Sequence, residues 1–229
     1  MMLLNNLEIE LLYKSRYDFE LFYNKVHALF NKNQISLSKT DKINNNYTNV
    51  LCSLGDIRVD LPISIGDKNS KYRIVILGLE PRDSNSKFNI EKHGKHVFGT
   101  PFGIEHWDEK NKYFKCFKGL LNREDCFLYF TDVVKEYEVR ESKDAADKYA
   151  RKTFKEKASK DENITFLRLE MDLIKPTHIL ALGHDTFKFL SHHFGSKVVK
   201  VIHPNARQNI KTKENSWDIA NKQISEIFK

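Results

Sequence analysis

The chain has 229 residues, a net charge of +7, 40% hydrophobic content, 16 Phe and 9 Tyr, which excludes a disordered or fibrous protein and leaves enough apolar surface for one substantial core. No apolar run approaches the length of a membrane span, and Met1 to Leu4 is too short and lacks the charged lead-in of a signal peptide, so a cytoplasmic protein is expected. Three cysteines, Cys52, Cys116 and Cys126, are an odd number without CxxC spacing; free thiols are expected, with no disulfide framework and no cluster.

In chain order, Leu11, Leu12, Phe19, Phe22, Tyr23, Val26, Leu29 and Phe30 recur at helical spacing and predict a packing helix within residues 8–31. The Asn- and Lys-rich passage from Lys39 to Asn49 reads as a loop, and Asp67 to Ser70 as a turn. Next comes the most informative stretch, Tyr72-Arg-Ile-Val-Ile-Leu-Gly-Leu-Glu-Pro-Arg82. The unbroken apolar run Ile74 to Leu77 predicts a strand buried on both faces, as in a parallel sheet. Gly78 permits a sharp exit or the close approach of a ligand, Pro81 stops the strand, and Glu80 is left at its carboxyl edge.

Three more strands are predicted over Cys126 to Val134, Thr177 to Gly183 and Val198 to His203, with helices around 145–158, 164–174, 185–193 and 216–228. Strands alternating with helices imply a three-layer α/β/α sandwich around a central, mainly parallel four-stranded sheet. A single domain over 1–229 is expected, with 1–70 an N-terminal helical and loop extension packed on it. On and beside the helical segment predicted at 145–158, Lys143, Lys148, Arg151, Lys152, Lys155, Lys157 and Lys160 crowd together, either as a solvated face or as contacts to a polyanion.

Glu80, Asp132, Gly183 and His203 each fall at or near the carboxyl end of a predicted strand. A parallel sheet brings all four to one edge, where open α/β sheets bind their ligands. A polar residue at one strand end is ordinarily a cap or a turn residue. Convergence from separate strands points instead to a site.

At this point the sequence resembles the uracil-DNA glycosylase superfamily over about residues 72–229. Arg73 to Arg82 is similar to the family's first motif, a strand followed by Gly-x-Asp-Pro or a variant. Gly99-Thr-Pro-Phe-Gly103 resembles the segment whose Phe stacks on the extruded base, and Thr131-Asp-Val-Val-Lys135 the Thr-Asn-Val-Val-Lys run of some classes. Pro176 to Gly183 is similar to the Pro-x-x-Ile-x-x-Leu-Gly strand, and His203-Pro-Asn-Ala-Arg-Gln-Asn209 to the second catalytic motif. Each motif is short, but they occur in the family's order.

The resemblance implies a monofunctional DNA glycosylase with Glu80 and His203 as catalysts. It further implies a base pocket of Gly78, Leu79, Arg82, Phe102 and Asp132, and DNA contacts at Gly183, His184, Pro204, Asn205 and the wedge-like Arg207. The residue types suit the chemistry, because breaking the glycosidic bond builds positive charge on the sugar and negative charge on the base. Glu80 supplies an anion and orients water; His203 and strand-end N–H groups stabilise the departing base. For Glu80 the competing reading is a helix-start carboxylate, for His203 a hydrogen-bonded core histidine, and for Phe102 a core aromatic.

Three departures from the family bear on substrate. Glu80 stands where Asp or Asn is common, and Arg82 follows the Pro where one class has a Tyr that excludes C5 substituents. Asp132 stands where an Asn reads uracil. A carboxylate has no donor for uracil O4 but accepts from the amine of cytosine, and a proton shared with N3 would complete a two-bond contact. Asp132 as a turn residue or salt-bridge partner stays open.

The expected activity is therefore removal of a cytosine-derived base, one with a bulky C5 group as in virus-modified DNA and serving antiviral defence. Uracil repair is the alternative, with a catalytically silent DNA-binding member and a small-molecule nucleotide hydrolase as rivals. The cysteine spacings of the iron–sulfur classes are absent, so DNA is the expected partner of a monomer with no cofactor, no metal or cluster and no membrane.

Overall fold

The computed structural model describes residues 57–60, 62–80, 83–84, 98–99, 102, 110–134, 136–140, 154, 156–206 and 214–228. The helix predicted within 8–31, the loop at 39–49 and Cys52 lie outside the described residues.

The main sheet is built from β2 (Ile63–Ile65), β3 (Tyr72–Gly78), β6 (Cys126–Asp132), β8 (His178–Leu182) and β9 (Val198–Val201), in the order β2-β6-β3-β8-β9. β3 pairs in parallel with β6 and with β8, and β8 with β9, while β2 runs antiparallel to β6 at the edge. The sheet thus has one strand more than the sequence predicts. Ile63–Ile65 is too short to show a two-residue period, and it falls within the 1–70 segment expected to be helix and loop. A second sheet, order β4-β7-β1-β5, joins β1 (Ile57–Asp60), β4 (Asp83–Ser84), β5 (Phe98–Gly99) and β7 (Glu136–Arg140). None of these strands exceeds five residues, and none was expected.

Among the described residues, the helices α1 (Lys112–Leu121), α2 (Asp161–Ile174), α3 (His184–Phe194) and α4 (Ser216–Ile227) cover the main sheet. The pleat sorts their partners. Ile74, Ile76, Leu128, Phe130, Leu180 and Leu182 point to one face, where Cys116, Phe117 and Leu120 of α1 and Ala220 and Ile224 of α4 pack on them. Val75, Leu77, Tyr129, Ile179 and Ala181 point to the other, against Phe166, Leu167, Met171 and Ile174 of α2 and Leu190 of α3. The run Ile74 to Leu77 is fully buried, as its continuity requires, each side chain contributing about 1.5–3 kcal/mol. The three-layer sandwich read from the sequence is the architecture observed. No helix among the described residues is long and apolar enough to cross a membrane.

Register aligns the strand ends. Gly78 pairs with Asp132, Leu77 with Ala181, and Leu182 with Val201, so Glu80, Gly183 and His203 follow one or two residues beyond one common row. Pairing continues past that row, as Val133 N–H donates to Gly78 O and Val134 N–H to Leu79 O, both at 3.1 Å, which holds the segment leading to Glu80 against the end of β6.

Candidate active site at the carboxyl edge

Gly78, Asp132 and Phe102 meet at the end of β3. A Cβ built on Gly78 would overlap Asp132 Oδ1 and stand 2.6 Å from Phe102 Cε1, so only glycine lets the carboxylate and the ring close over the strand end. Asp132 is only 4% exposed. Phe102 adopts φ +62°, a left-handed conformation costly for a residue with a Cβ and typical of functional segments. Its ring stacks on Tyr113 at 5.0 Å and 18° and meets Phe130 edge-on at 6.3 Å. Pro101 and Gly103, which flank it in sequence, lie outside the described residues.

Tyr113 links this cluster to His203. Asn111 caps α1 by accepting from Tyr113 N–H at 2.8 Å and Phe114 N–H at 3.3 Å, which sets Tyr113 in the first helical turn. The Tyr113 hydroxyl lies 3.5 Å from His203 Nε2 and accepts from Asn205 Nδ2 at 3.1 Å. His203 Nδ1 accepts the Asn205 backbone N–H at 3.1 Å, so the neutral ring carries its proton on Nε2. The segment is tied to α4 twice, through Ile202 N–H donating to Gln223 Oε1 at 2.9 Å and Ser216 Oγ donating to Ala206 O at 2.8 Å. Gly183 adopts φ +93° where β8 turns into α3, and donates to Val201 O at 2.8 Å. A Cβ on Gly183 would touch His203 Cβ at 3.6 Å, so the need for glycine there comes from its dihedral.

Glu80 is reached from the other helix layer. Its side chain is 1% exposed, and Oε1 accepts from Lys157 Nζ at 2.8 Å, the lysine side chain being 18% exposed. Lys157 is thereby removed from the group of lysines whose roles the sequence leaves between solvent and phosphate. Leu79 packs partly buried against the core on this same side. The acid therefore approaches the sheet edge from the α2 and α3 side, and Phe102, Tyr113 and His203 from the α1 and α4 side.

Of the remaining expected residues, Pro204 is buried, Asn205 is exposed but bonded to His203 and Tyr113, and His184 is exposed at the first position of α3. Arg82 and Arg207 lie outside the described residues. Two members of the site were not singled out by sequence reasoning, Tyr113 and the Glu80 partner Lys157. For Tyr113 the available signal was a capping Asn two residues before an aromatic, which marks a helix start but no site. Near this edge Lys112 and Lys115 hold their ammonium groups 5.3 and 5.6 Å from the Trp217 ring centre.

Among the described residues no three His, Cys, Asp or Glu gather as metal ligands. Cys116 and Cys126 are free thiols, and burial pushes both above the usual thiol range, Cys116 most, which makes them inert core groups.

Fold and site together define a layered α/β protein that gathers Gly78, Phe102, Asp132 and His203 at the carboxyl edge of its main sheet, with a buried acid, Glu80, beside them. The family model of the uracil DNA glycosylase superfamily matches residues 65–223, and the chain belongs to that superfamily. No curated protein matches its sequence.

Proposed function

We propose that the protein is a DNA glycosylase that extrudes a cytosine carrying a C5 substituent and hydrolyses its N-glycosidic bond, leaving an abasic site. Superfamily membership supports the reaction class and the DNA substrate. The observation that supports the choice of base is Asp132, a buried carboxylate beside Gly78 and Phe102, which stands in a run resembling the family's Thr-Asn-Val-Val-Lys where the Asn reads uracil. An ionised carboxylate accepts from the exocyclic amine of cytosine and repels the O4 of uracil.

In this reading the flipped base stacks on Phe102 beside Gly78 and turns its polar edge to Asp132. As the bond between C1′ and the base nitrogen breaks, its electron pair goes to the base and positive charge spreads over C1′ and the ring oxygen. His203, with its proton on Nε2, donates toward the oxygen of the departing base, and a proton shared between Asp132 and N3 lowers the charge the base must carry. Glu80 orients the water that adds to C1′ and accepts its proton. Lys112 and Lys115 are suited to the flanking phosphates.

Plain cytosine offers Asp132 the same amine, so an enzyme that spares unmodified DNA must also read the C5 group, and Arg82 is the sequence candidate for that contact. Such a protein acts as a cytoplasmic monomer on invading DNA whose cytosines are modified. Incubation with DNAs containing uracil, hypoxanthine, cytosine, 5-hydroxymethylcytosine or glucosylated cytosine, followed by counting of abasic sites, tests the reading. Abasic sites arising only from uracil would replace it with uracil repair, and none from any DNA would leave a silent DNA-binding member.

A further inference from the structure

We propose that Lys157 is a positioning residue that keeps the Glu80 carboxylate charged and aimed, an assignment that rests on Glu80 acting as proposed above. A carboxylate only 1% exposed would ordinarily take up a proton, because ionisation without water or a partner is costly. A protonated Glu80 could neither orient nor deprotonate water. The ammonium at 2.8 Å sets a positive charge against the carboxylate and fixes one of its oxygens.

Lys157 is built for this role by its surroundings. It comes from 77 residues away in sequence, on a helical turn anchored by its neighbours. Phe154 and Ala158 lie three residues before it and one after, so all share one helical face, and both are buried in the core on the α2 and α3 side. Phe154 packs edge-on against Phe189 of α3 at 6.0 Å. The turn closes through Lys160 N–H donating to Lys157 O at 3.3 Å, and Asn163 Nδ2 reaches Ala158 O at 3.5 Å. Glu156 and Lys160, on the same segment, are exposed, whereas Lys157 is turned inward. A lysine serving a phosphate would point outward, as these neighbours do.

The pairing also changes how Glu80 works. With a cation on one oxygen, the pair presents little net charge to the sugar, so Glu80 acts through a located hydrogen-bond acceptor more than through bare charge. Lys157 therefore acts on the excision step and not on DNA affinity.

The test is a cycle of Lys157→Met, Glu80→Gln and the double variant, measured as single-turnover excision rate and DNA dissociation constant on the substrate found in the panel above. Lys157→Met should slow excision on the order of a hundredfold with the dissociation constant within about threefold of wild type, and Lys157→Arg should restore most of the rate. In the Glu80→Gln background, Lys157→Met should cause no further loss, because the lysine acts only through the acid. A rate within about threefold of wild type, a loss carried by weaker and less salt-dependent DNA binding, or a full multiplicative loss in the Glu80→Gln background would overturn the assignment. Should Lys157→Met fail to fold, Lys157→Gln, which keeps a donor but no charge, is judged by the same cycle. A wild-type protein inactive on every DNA overturns the glycosylase reading and this assignment with it, whereas an active wild type with an unaffected Lys157 variant overturns this assignment alone.

Discussion

Replacing Gly78 with alanine should displace Phe102 and Asp132 from the strand end while leaving the sheet intact. The added methyl would overlap Asp132 Oδ1 and stand 2.6 Å from Phe102 Cε1 and 3.3 Å from Phe102 Cζ. Carbon atoms prefer about 3.5–4.0 Å, so the ring must retreat by roughly 1 Å and the carboxylate must turn away. Phe102 has little room for this, being packed on Tyr113 at 5.0 Å, Phe130 at 6.3 Å and Phe117 at 6.5 Å. Overpacking of this kind costs about 1–3 kcal/mol, and at roughly 2–4 °C per kcal/mol for a chain of this size the Tm should fall by about 2–12 °C. Displacing a group that holds substrate by about 1 Å costs on the order of a hundredfold in rate. Thermal melting and single-turnover excision measure the two effects. An unchanged Tm together with a rate within about threefold of wild type would show that Phe102 and Asp132 do not close over Gly78 in solution.

His203→Ala should slow excision on the order of a hundredfold with DNA binding retained if the proposed donation from Nε2 to the leaving base operates; an unchanged rate at every pH would make His203 purely structural. Asp132→Asn should shift kcat/KM toward uracil and away from modified cytosine by several powers of ten, since a matched buried hydrogen bond decides such choices; an unchanged ratio would remove Asp132 from base reading. Tyr129→Phe removes the donor that holds the fully buried Glu170 at 2.6 Å and should lower stability by about 1–3 kcal/mol in urea titration, with an unchanged midpoint showing that Glu170 is satisfied without it.

What the sequence by itself determined is the layered fold and the row of residues at the strand ends. Runs such as Ile74 to Leu77 and Cys126 to Phe130 are apolar at every position, which only a sheet covered on both faces accommodates, and the alternation with helices makes that sheet mainly parallel. Once strands run parallel, their carboxyl ends share an edge, so Gly78, Glu80, Asp132, Gly183 and His203 fall together for topological reasons legible in one dimension. Short strands such as Ile63–Ile65 were not legible, because three residues carry no period. Neither was α1, where Gly119 interrupts a ten-residue helix and weakens its local signal.

Only the tertiary structure decided which side chains touch across that edge. Lys157 reads in sequence as one basic residue among many, and nothing local marks it from Lys152 or Lys160. It becomes the partner of Glu80 because Phe154 and Ala158 bury their side of the turn and leave its amine facing the end of β3. Tyr113 likewise joins Phe102 to His203, a histidine 90 residues further along the chain. Such contacts arise from packing between layers, and packing depends on the whole set of buried side chains, which no single segment encodes.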